Sequence, residues 1–181
     1  TIHVENNYDR LDEKNDDRLG LANLDTGEVR DIELPDGIVD EDRRGGRRIS
    51  SAEFVPQKDQ LFVTSRRTYG LYDIGKGAWS VHHVPGAGHI PSWRTKPVVS
   101  PDGQHVVATV AANDFPQCFA LAVLALDGGK WTLHPAPRPT GSVGPPAWSS
   151  FSDLAWLGNT RILLLSDEGL YEMALDGTAR R

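Results

Sequence analysis

The chain has 181 residues, 39% of them hydrophobic and 24% charged, which is typical of a folded globular protein rather than a disordered one. Its net charge of −6 argues against a general nucleic-acid or anionic-membrane binder, because either partner attracts a basic excess. No apolar run approaches the roughly 20 residues of a membrane helix, so we expect no membrane insertion.

The first segment of the chain, residues 1–34, predicts three short strands. Their sequences are IHVE, LGLANL and EVRDIEL, and the last two flank the turn LDTGEV at Leu24–Val29. This turn separates an apolar strand from a more polar one, and its glycine takes a positive φ at little cost.

The same turn recurs further along the chain. Its later copies are IGKGAW at Ile74–Trp79, LDGGKW at Leu126–Trp131 and LDGTA at Leu175–Ala179. Gly27, Gly77 and Gly129 are therefore spaced by about 50 residues, which is a repeat length typical of stacked β-units.

A second repeated unit interleaves with this turn. Its copies, ISSAEFVPQKDQLFVTSR, KPVVSPDGQHVVATVA and FSDLAWLGNTRILLLSD, are each a strand, a tight turn and a more apolar strand. In the second copy Pro101 presets the first turn angle, Asp102 can bond its own backbone and Gly103 accepts a positive φ.

Together the two units predict four short strands, A to D, in every repeat. A four-stranded sheet of this size cannot bury both faces alone, so neighbouring sheets must stack, as the blades of a β-propeller do. We therefore predict an all-β propeller of about three and a half blades, part of a larger propeller or completed by a partner. Residues 1–34 and 151–181 form partial blades, and residues 49–85 and 93–136 form complete ones.

These residues also resemble a known family. VSPDGQHVVAT is similar to the S-P-D-G hairpin of the TolB-like (WD40-like, PD40) propeller repeats, and GLYEMALDGTARR is similar to the segment that follows it. The resemblance covers roughly Arg48 to Arg181, with VPQKDQ and WLGNTR departing from the hairpin pattern. It implies that ligands and partners bind where the D–A and B–C loops gather.

The D–A loops of this chain are long, at Pro35–Arg48, Pro85–Thr95 and Pro137–Phe151. Long loops on a rigid scaffold are where function concentrates, whereas the A–B and C–D turns are minimal. We select as candidate ligand or partner contacts the following residues of the D–A and B–C loops: Arg67, His89, Trp93, Asp114 and Asp167.

Each candidate has a simpler structural interpretation. The arginines of LPDGIVDEDRRGGRRI can grip a phosphate or carboxylate, but neighbouring acids cancel their field. His82 and His83 are adjacent on a strand and point to opposite faces, so at most one can join His89, and we predict no metal site. Trp93 can pack between blades, as we expect for Trp79 and Trp131, which recur at the start of strand D.

The sequence favours a non-catalytic binding or assembly scaffold that presents its loops to a protein or a small ligand. We expect no cofactor, and as partners a protein or the remaining blades, with self-association through open edge strands as a further route. Two alternatives stay open: the substrate-gating propeller of a prolyl oligopeptidase-like hydrolase, and a lactonase-type metal-dependent propeller enzyme. Nothing in the sequence fixes the compartment, and Cys118 is the single cysteine.

Overall fold

The computed structural model describes residues 2–5, 17–41, 47–65, 68–84, 95–111, 119–135, 151–166 and 169–180. Almost all of these residues lie in short antiparallel strands and tight turns. The chain divides into two compact units, Thr1–His83 and Val84–Arg181.

Unit 1 contains two main sheets. Sheet 1 has three strands, β1 (Ile2–Glu5), β2 (Arg18–Ala22) and β3 (Val29–Ile32). A 3₁₀ turn (Asp36–Ile38) and a two-stranded ribbon of β4 (Asp40–Glu41) and β5 (Arg47–Arg48) follow. Sheet 2 has four strands, β6 (Ser51–Phe54), β7 (Gln60–Thr64), β8 (Thr68–Asp73) and β9 (Ala78–His83).

Unit 2 contains two four-stranded sheets. Sheet 3 consists of β10 (Val98–Val99), β11 (His105–Ala111), β12 (Phe119–Ala125) and β13 (Lys130–Pro135). Sheet 4 consists of β14 (Phe151–Leu157), β15 (Arg161–Ser166), β16 (Gly169–Ala174) and β17 (Ala179–Arg180). Every strand pairs with its neighbour in sequence order, so the four main sheets repeat one antiparallel pattern, as predicted for a propeller.

Each unit buries its core between two sheets. In unit 1, Leu19 and Ile32 of sheet 1 pack with Leu61 and Val63 of sheet 2. In unit 2, residues of β11 and β12 pack with the following residues of sheet 4: Leu154, Ile162, Leu164, Tyr171 and Met173. Stacking of apolar sheet faces therefore stabilises this fold, because no single sheet could bury both of its own faces.

The turn at Pro101–Gly103 has the predicted chemistry. Gly103 adopts a φ of 65°, and its N–H donates to the Ser100 carbonyl at 2.9 Å. The Asp102 carboxylate accepts a hydrogen bond from Ser100 Oγ at 2.6 Å and another from the Gln104 N–H at 3.0 Å. These two hydrogen bonds, the Ser100 one first, hold the pKa of Asp102 below its ordinary value of 3.8.

Two local features differ from the sequence-based prediction. The first D–A segment, predicted as one long loop at Pro35–Arg48, contains the 3₁₀ turn and the β4–β5 ribbon, and Ile38 is fully buried in the core of unit 1. Gly70 lets Ile38 and Trp79 approach closely, since an added Cβ would lie 3.0 Å from both side chains. In addition, residues 151–181, predicted to form a partial blade, have a short fourth strand, β17, that pairs with β16.

The recurring tryptophans at the start of strand D pack against the cores, as predicted. Trp79 lies against the core of unit 1, and its indole N–H donates to the Glu33 carbonyl of the preceding sheet at 3.0 Å. Trp131 packs against a smaller cluster in unit 2 that includes Val84 and Val110. In the described part of the chain, no helix is long and apolar enough to cross a membrane.

Candidate functional site

The five predicted contact residues lie outside the described residues. Their separations are therefore not measured, and the set Arg67, His89, Trp93, Asp114 and Asp167 remains a prediction. The structure does define the strand ends at which the D–A and B–C loops begin.

In sheet 2 the strand register brings four strand ends together. Ser51, at the start of β6, lies opposite Thr64 near the end of β7, and Thr68, at the start of β8, lies opposite His83 at the end of β9. The chain positions 66–67 and 85–94 directly continue from these ends. We call the end of each sheet at which these loops begin the loop end. The opposite end, which carries the A–B and C–D turns, is the turn end.

Buried hydroxyl groups pair at the loop end of sheet 2. Ser51 Oγ and Thr64 Oγ1 are 2.8 Å apart, and Ser65 Oγ and Thr68 Oγ1 are 2.7 Å apart. Thr64 and Ser65 are fully buried, so each pair satisfies groups that water cannot reach. These four residues, the hydroxyl cluster, fix the ends of β6, β7 and β8 that are next in sequence to the predicted binding loops.

A comparable contact occurs in sheet 3 of unit 2. Thr109, which is fully buried, donates its backbone N–H to Thr95 Oγ1 at 3.0 Å, and its hydroxyl lies 3.2 Å from the same atom. Thr95 precedes β10, so this contact also anchors the chain at a loop end. Side-chain hydroxyls therefore hold the start of strand A in both complete predicted blades.

A buried carboxylate reinforces the loop end of unit 1. Asp17 precedes β2, is 5% exposed, and accepts the Ile49 N–H on Oδ2 at 2.9 Å. Asp17 and the hydroxyl cluster were not predicted from the sequence, because single polar residues at strand ends look the same whether they are buried or exposed. The one sign of the hydroxyl cluster in the sequence was LFVTS, in which two hydroxyl residues directly follow an apolar strand.

The two adjacent histidines have different surroundings. His82 is exposed and stacks on the ring of buried Tyr69, with 5.0 Å between ring centroids, while the next residue, His83, lies opposite Thr68. Alternation along β9 points their side chains to opposite faces, as predicted. Among the described residues, no three histidine, cysteine or acidic side chains are grouped as a metal site.

Two carboxylates of the C–D turns are engaged in local hydrogen bonds. Asp73 accepts the side chain and backbone N–H of Lys76, which lower its pKa, and Asp176 accepts the Thr178 N–H, which lowers its pKa likewise. Such bonds close the C–D turns. Asp73 and Asp176 therefore help to hold the C–D turns in place.

One cavity at the turn end of unit 1 was not anticipated from the sequence. It has a volume of about 400 Å³ and lies between sheets 1 and 2. Apolar and charged side chains line it together: Leu21, Ala22, Asn23, Glu28, Arg30, Phe54, Asp59 and Ile74. No single motif encodes it, because its lining comes from both sheets.

No family model matches this chain, and no curated protein sequence does. Solved structures that are similar to it include the following two. An oligogalacturonate lyase in complex with manganese aligns with a TM-score of 0.66 at 15% identity, covering 92% of this chain and 46% of that one. The extracellular domain of a hybrid two-component system protein from B. thetaiotaomicron aligns with a TM-score of 0.51 at 14% identity, covering 91% of this chain and 23% of that one.

Both similar structures are propeller-type proteins, and this chain spans less than half of the length of either. At such low identity the likeness establishes the fold alone. Together with the repeated antiparallel sheets, it shows that the chain has the all-β fold of a partial β-propeller.

Proposed function

We propose that this chain is a non-catalytic β-propeller module that binds a protein or a small ligand at its loop end. Arg67, His89, Trp93, Asp114 and Asp167 are the proposed contacts, supplied by D–A and B–C loops. We also propose that its repeats belong to the TolB-like (WD40-like) group, on the strength of VSPDGQHVVAT and GLYEMALDGTARR.

The hydroxyl cluster is the observation that most supports this proposal. Buried, fully paired hydroxyls beside the starts of predicted binding loops give those loops a preorganised base. Preorganisation reduces the conformational entropy lost on binding, which otherwise weakens a loop-based contact. At the turn end, by contrast, the carboxylates of Asp73, Asp102 and Asp176 close short turns.

A lyase that binds manganese, of which this chain would be one part, is the second candidate. The aligned lyase favours it, with a TM-score of 0.66 over 92% of this chain. The described residues contain no grouped metal ligands, so they do not fit a metal centre by themselves. The gating propeller of a hydrolase is a further alternative, for which no described residue gives specific support.

Oligogalacturonate is a suitable probe, because arginine recognises carboxylates and aromatic rings stack on sugars. We would measure its binding by isothermal titration with and without MnCl₂, and assay the same mixtures for an unsaturated product. We expect binding without turnover, and an affinity at least about tenfold lower in Arg67→Ala and Trp93→Ala.

Lys76→Ala is the matched control, because Lys76 is an exposed cation in a C–D turn at the opposite end. It should bind as the unmodified chain does. Manganese-dependent turnover would contradict the non-catalytic proposal and favour the lyase. Equal losses in Arg67→Ala and Lys76→Ala would contradict the loop end as the binding surface.

A further inference from the structure

The cavity at the turn end of unit 1 has an apolar wall to which both sheets contribute. Leu21 of β2 lines it on one side, and Phe54 and Ile74 of sheet 2 line it on the other. Leu21 and Ile74 also pack against the core of unit 1, whereas Phe54 is 42% exposed. The volume of about 400 Å³ lies within the range of small-molecule sites, about 300–1,000 Å³.

Two opposite charges of sheet 1 lie on the same side of this cavity. Arg30 lies opposite Leu21 and alternates with the core residue Ile32, so it is on the face of sheet 1 that packs against sheet 2. The Glu28 carbonyl accepts the Asn23 N–H at 2.8 Å, which continues the pairing beyond β3. Glu28 is therefore on the same face as Arg30, and their Cα atoms are about 7 Å apart from the rise of a strand.

A second carboxylate comes from sheet 2. Asp59 lies in the A–B turn, where its backbone carbonyl accepts the Ile74 N–H at 3.0 Å. In the corresponding turn of sheet 3, the carbonyl of Gln104 accepts the Leu126 N–H at 2.8 Å. The turn therefore requires the backbone carbonyl and no carboxylate, so the Asp59 side chain lines the cavity without serving the turn.

The repeated fold does not require the charges of Glu28 and Arg30 either. They are the fifth and seventh residues counted from Leu24 of the first C–D turn. The next two repeats have other residues at these positions: Ala78 and Ser80, then Lys130 and Thr132. Among the described residues, none of the three charged side chains Glu28, Arg30 and Asp59 takes part in a salt bridge.

These groups match the parts of an apolar amino acid. A guanidinium such as that of Arg30 binds a carboxylate through two parallel hydrogen bonds. An ammonium group has three donors, which the carboxylates of Glu28 and Asp59 can accept. An apolar side chain would lie against Phe54 and Ile74, and an aromatic one gains further from contact with the Phe54 ring.

We propose that this cavity binds a free amino acid with an apolar or aromatic side chain. Arg30 holds the carboxylate, and Glu28 and Asp59 hold the ammonium group. The site lies within unit 1 and at the turn end. It therefore stands whether or not the ligand binding proposed for the loop end is correct.

Titration of the full chain with L-phenylalanine, followed by calorimetry and by two-dimensional NMR, tests this site. We expect saturable binding with a dissociation constant of about 1 mM or lower. Three probes each lack one part of the ligand: glycine lacks the apolar side chain, N-acetyl-L-phenylalanine lacks the ammonium group, and L-phenylalanine amide lacks the carboxylate. Each should bind at least about tenfold more weakly.

Single substitutions should assign each part of the ligand to its residue. Arg30→Gln should weaken binding of L-phenylalanine at least about tenfold and leave binding of the amide unchanged, because the amide has no carboxylate. Asp59→Asn should likewise weaken binding of L-phenylalanine but not of the N-acetyl compound. Both side chains are exposed, so the variants should fold, which circular dichroism would verify.

Lys130→Gln is the matched control, because it removes a charge at the position of unit 2 that corresponds to Glu28. It should bind L-phenylalanine as the unmodified chain does, and so should Arg67→Ala at the loop end. The proposal would be overturned by the absence of saturable binding, by equal affinities for glycine and L-phenylalanine, or by equal losses in Arg30→Gln and Lys130→Gln. A loss in Arg67→Ala alone would assign the amino acid to the loop end instead.

Discussion

Individual hydroxyl groups determine how firmly the loop end of sheet 2 is held. Ser65 is fully buried, pairs with the Thr68 hydroxyl at 2.7 Å, and accepts the Thr68 N–H at 3.3 Å. Its own N–H donates to the Thr68 carbonyl at 3.0 Å. One serine and one threonine thus hold the end of β7 to the start of β8, on either side in sequence of the proposed contact Arg67.

Ser65→Ala should destabilise the protein by about 1–3 kcal/mol, because the buried Thr68 hydroxyl then loses its partner. Ser65→Ala/Thr68→Val should be more stable than Ser65→Ala, since it removes both polar groups together. Urea unfolding at equilibrium gives the free energies, with Ser80→Ala on exposed β9 as the control expected near zero. If Ser65→Ala were as stable as the unmodified chain, the hydrogen bond between Ser65 and Thr68 would not be an anchor.

At the scale of strands and sheets, neighbouring sheets are joined by single side chains as well as by apolar faces. The Trp79 indole donates to the Glu33 carbonyl between sheets 2 and 1, and the Trp156 indole donates to the Val98 carbonyl between sheets 4 and 3. In each case a tryptophan hydrogen-bonds to a backbone carbonyl of the preceding sheet. Such bonds fix the lateral position of one sheet on the next, which apolar contact alone does not.

A close contact between sheets 3 and 4 gives a prediction at this scale. Gly177 in the last C–D turn has a φ of 86°, and an added Cβ would overlap the imidazole of His134 on β13. Gly177→Ala should therefore cost more than the roughly 1–2 kcal/mol of a left-handed residue alone. Gly27→Ala is the matched control, with a φ of 73° and open space around it.

Thermal and urea unfolding of both variants would separate the two costs. In the Gly177→Ala variant, His134→Ala should restore the part of the unfolding free energy that is lost through this overlap. In the Gly27→Ala variant it should restore none. Equal destabilisation by the two glycine substitutions would mean that His134 moves aside freely.

The sequence predicted the strands better than the site. Apolar runs such as LFVTS and HVVATVA, bounded by glycine turns, carry their own period and turn chemistry, so β7, β11 and the C–D turns were found. Ile38 was missed because its burial depends on contact with sheet 2, and the cavity at the turn end depends on two sheets meeting. The spacing of the loops in the sequence was enough to select Arg67 and His89 as candidates. The distances between them depend on how the sheets pack, which spacing in the sequence does not encode.

For the whole molecule, the repeat implies that stability arises from pairs of adjacent sheets. Sheets 3 and 4 share one continuous core, whose fully buried members include Val107 and Leu121 from one sheet and Ile162, Leu164 and Met173 from the other. In stacked repeats of this kind, each sheet contributes mainly through its interfaces with its neighbours. Removing one sheet therefore exposes the apolar face of the sheet that packed against it.

A fragment comprising residues 84–181 should consequently fold without unit 1, because both halves of that core are present. A fragment comprising residues 84–150 lacks sheet 4. It loses about 1.5–3 kcal/mol for each large apolar side chain that no longer packs, so it should not unfold cooperatively. Far-UV circular dichroism and urea titration distinguish the two fragments. Leu164→Asp in the fragment of residues 84–181 is the control, because it disrupts the interface between sheets 3 and 4 without shortening the chain. A sharp unfolding transition for residues 84–150 would show that sheet 3 is stable alone and that stacking is not the source of stability.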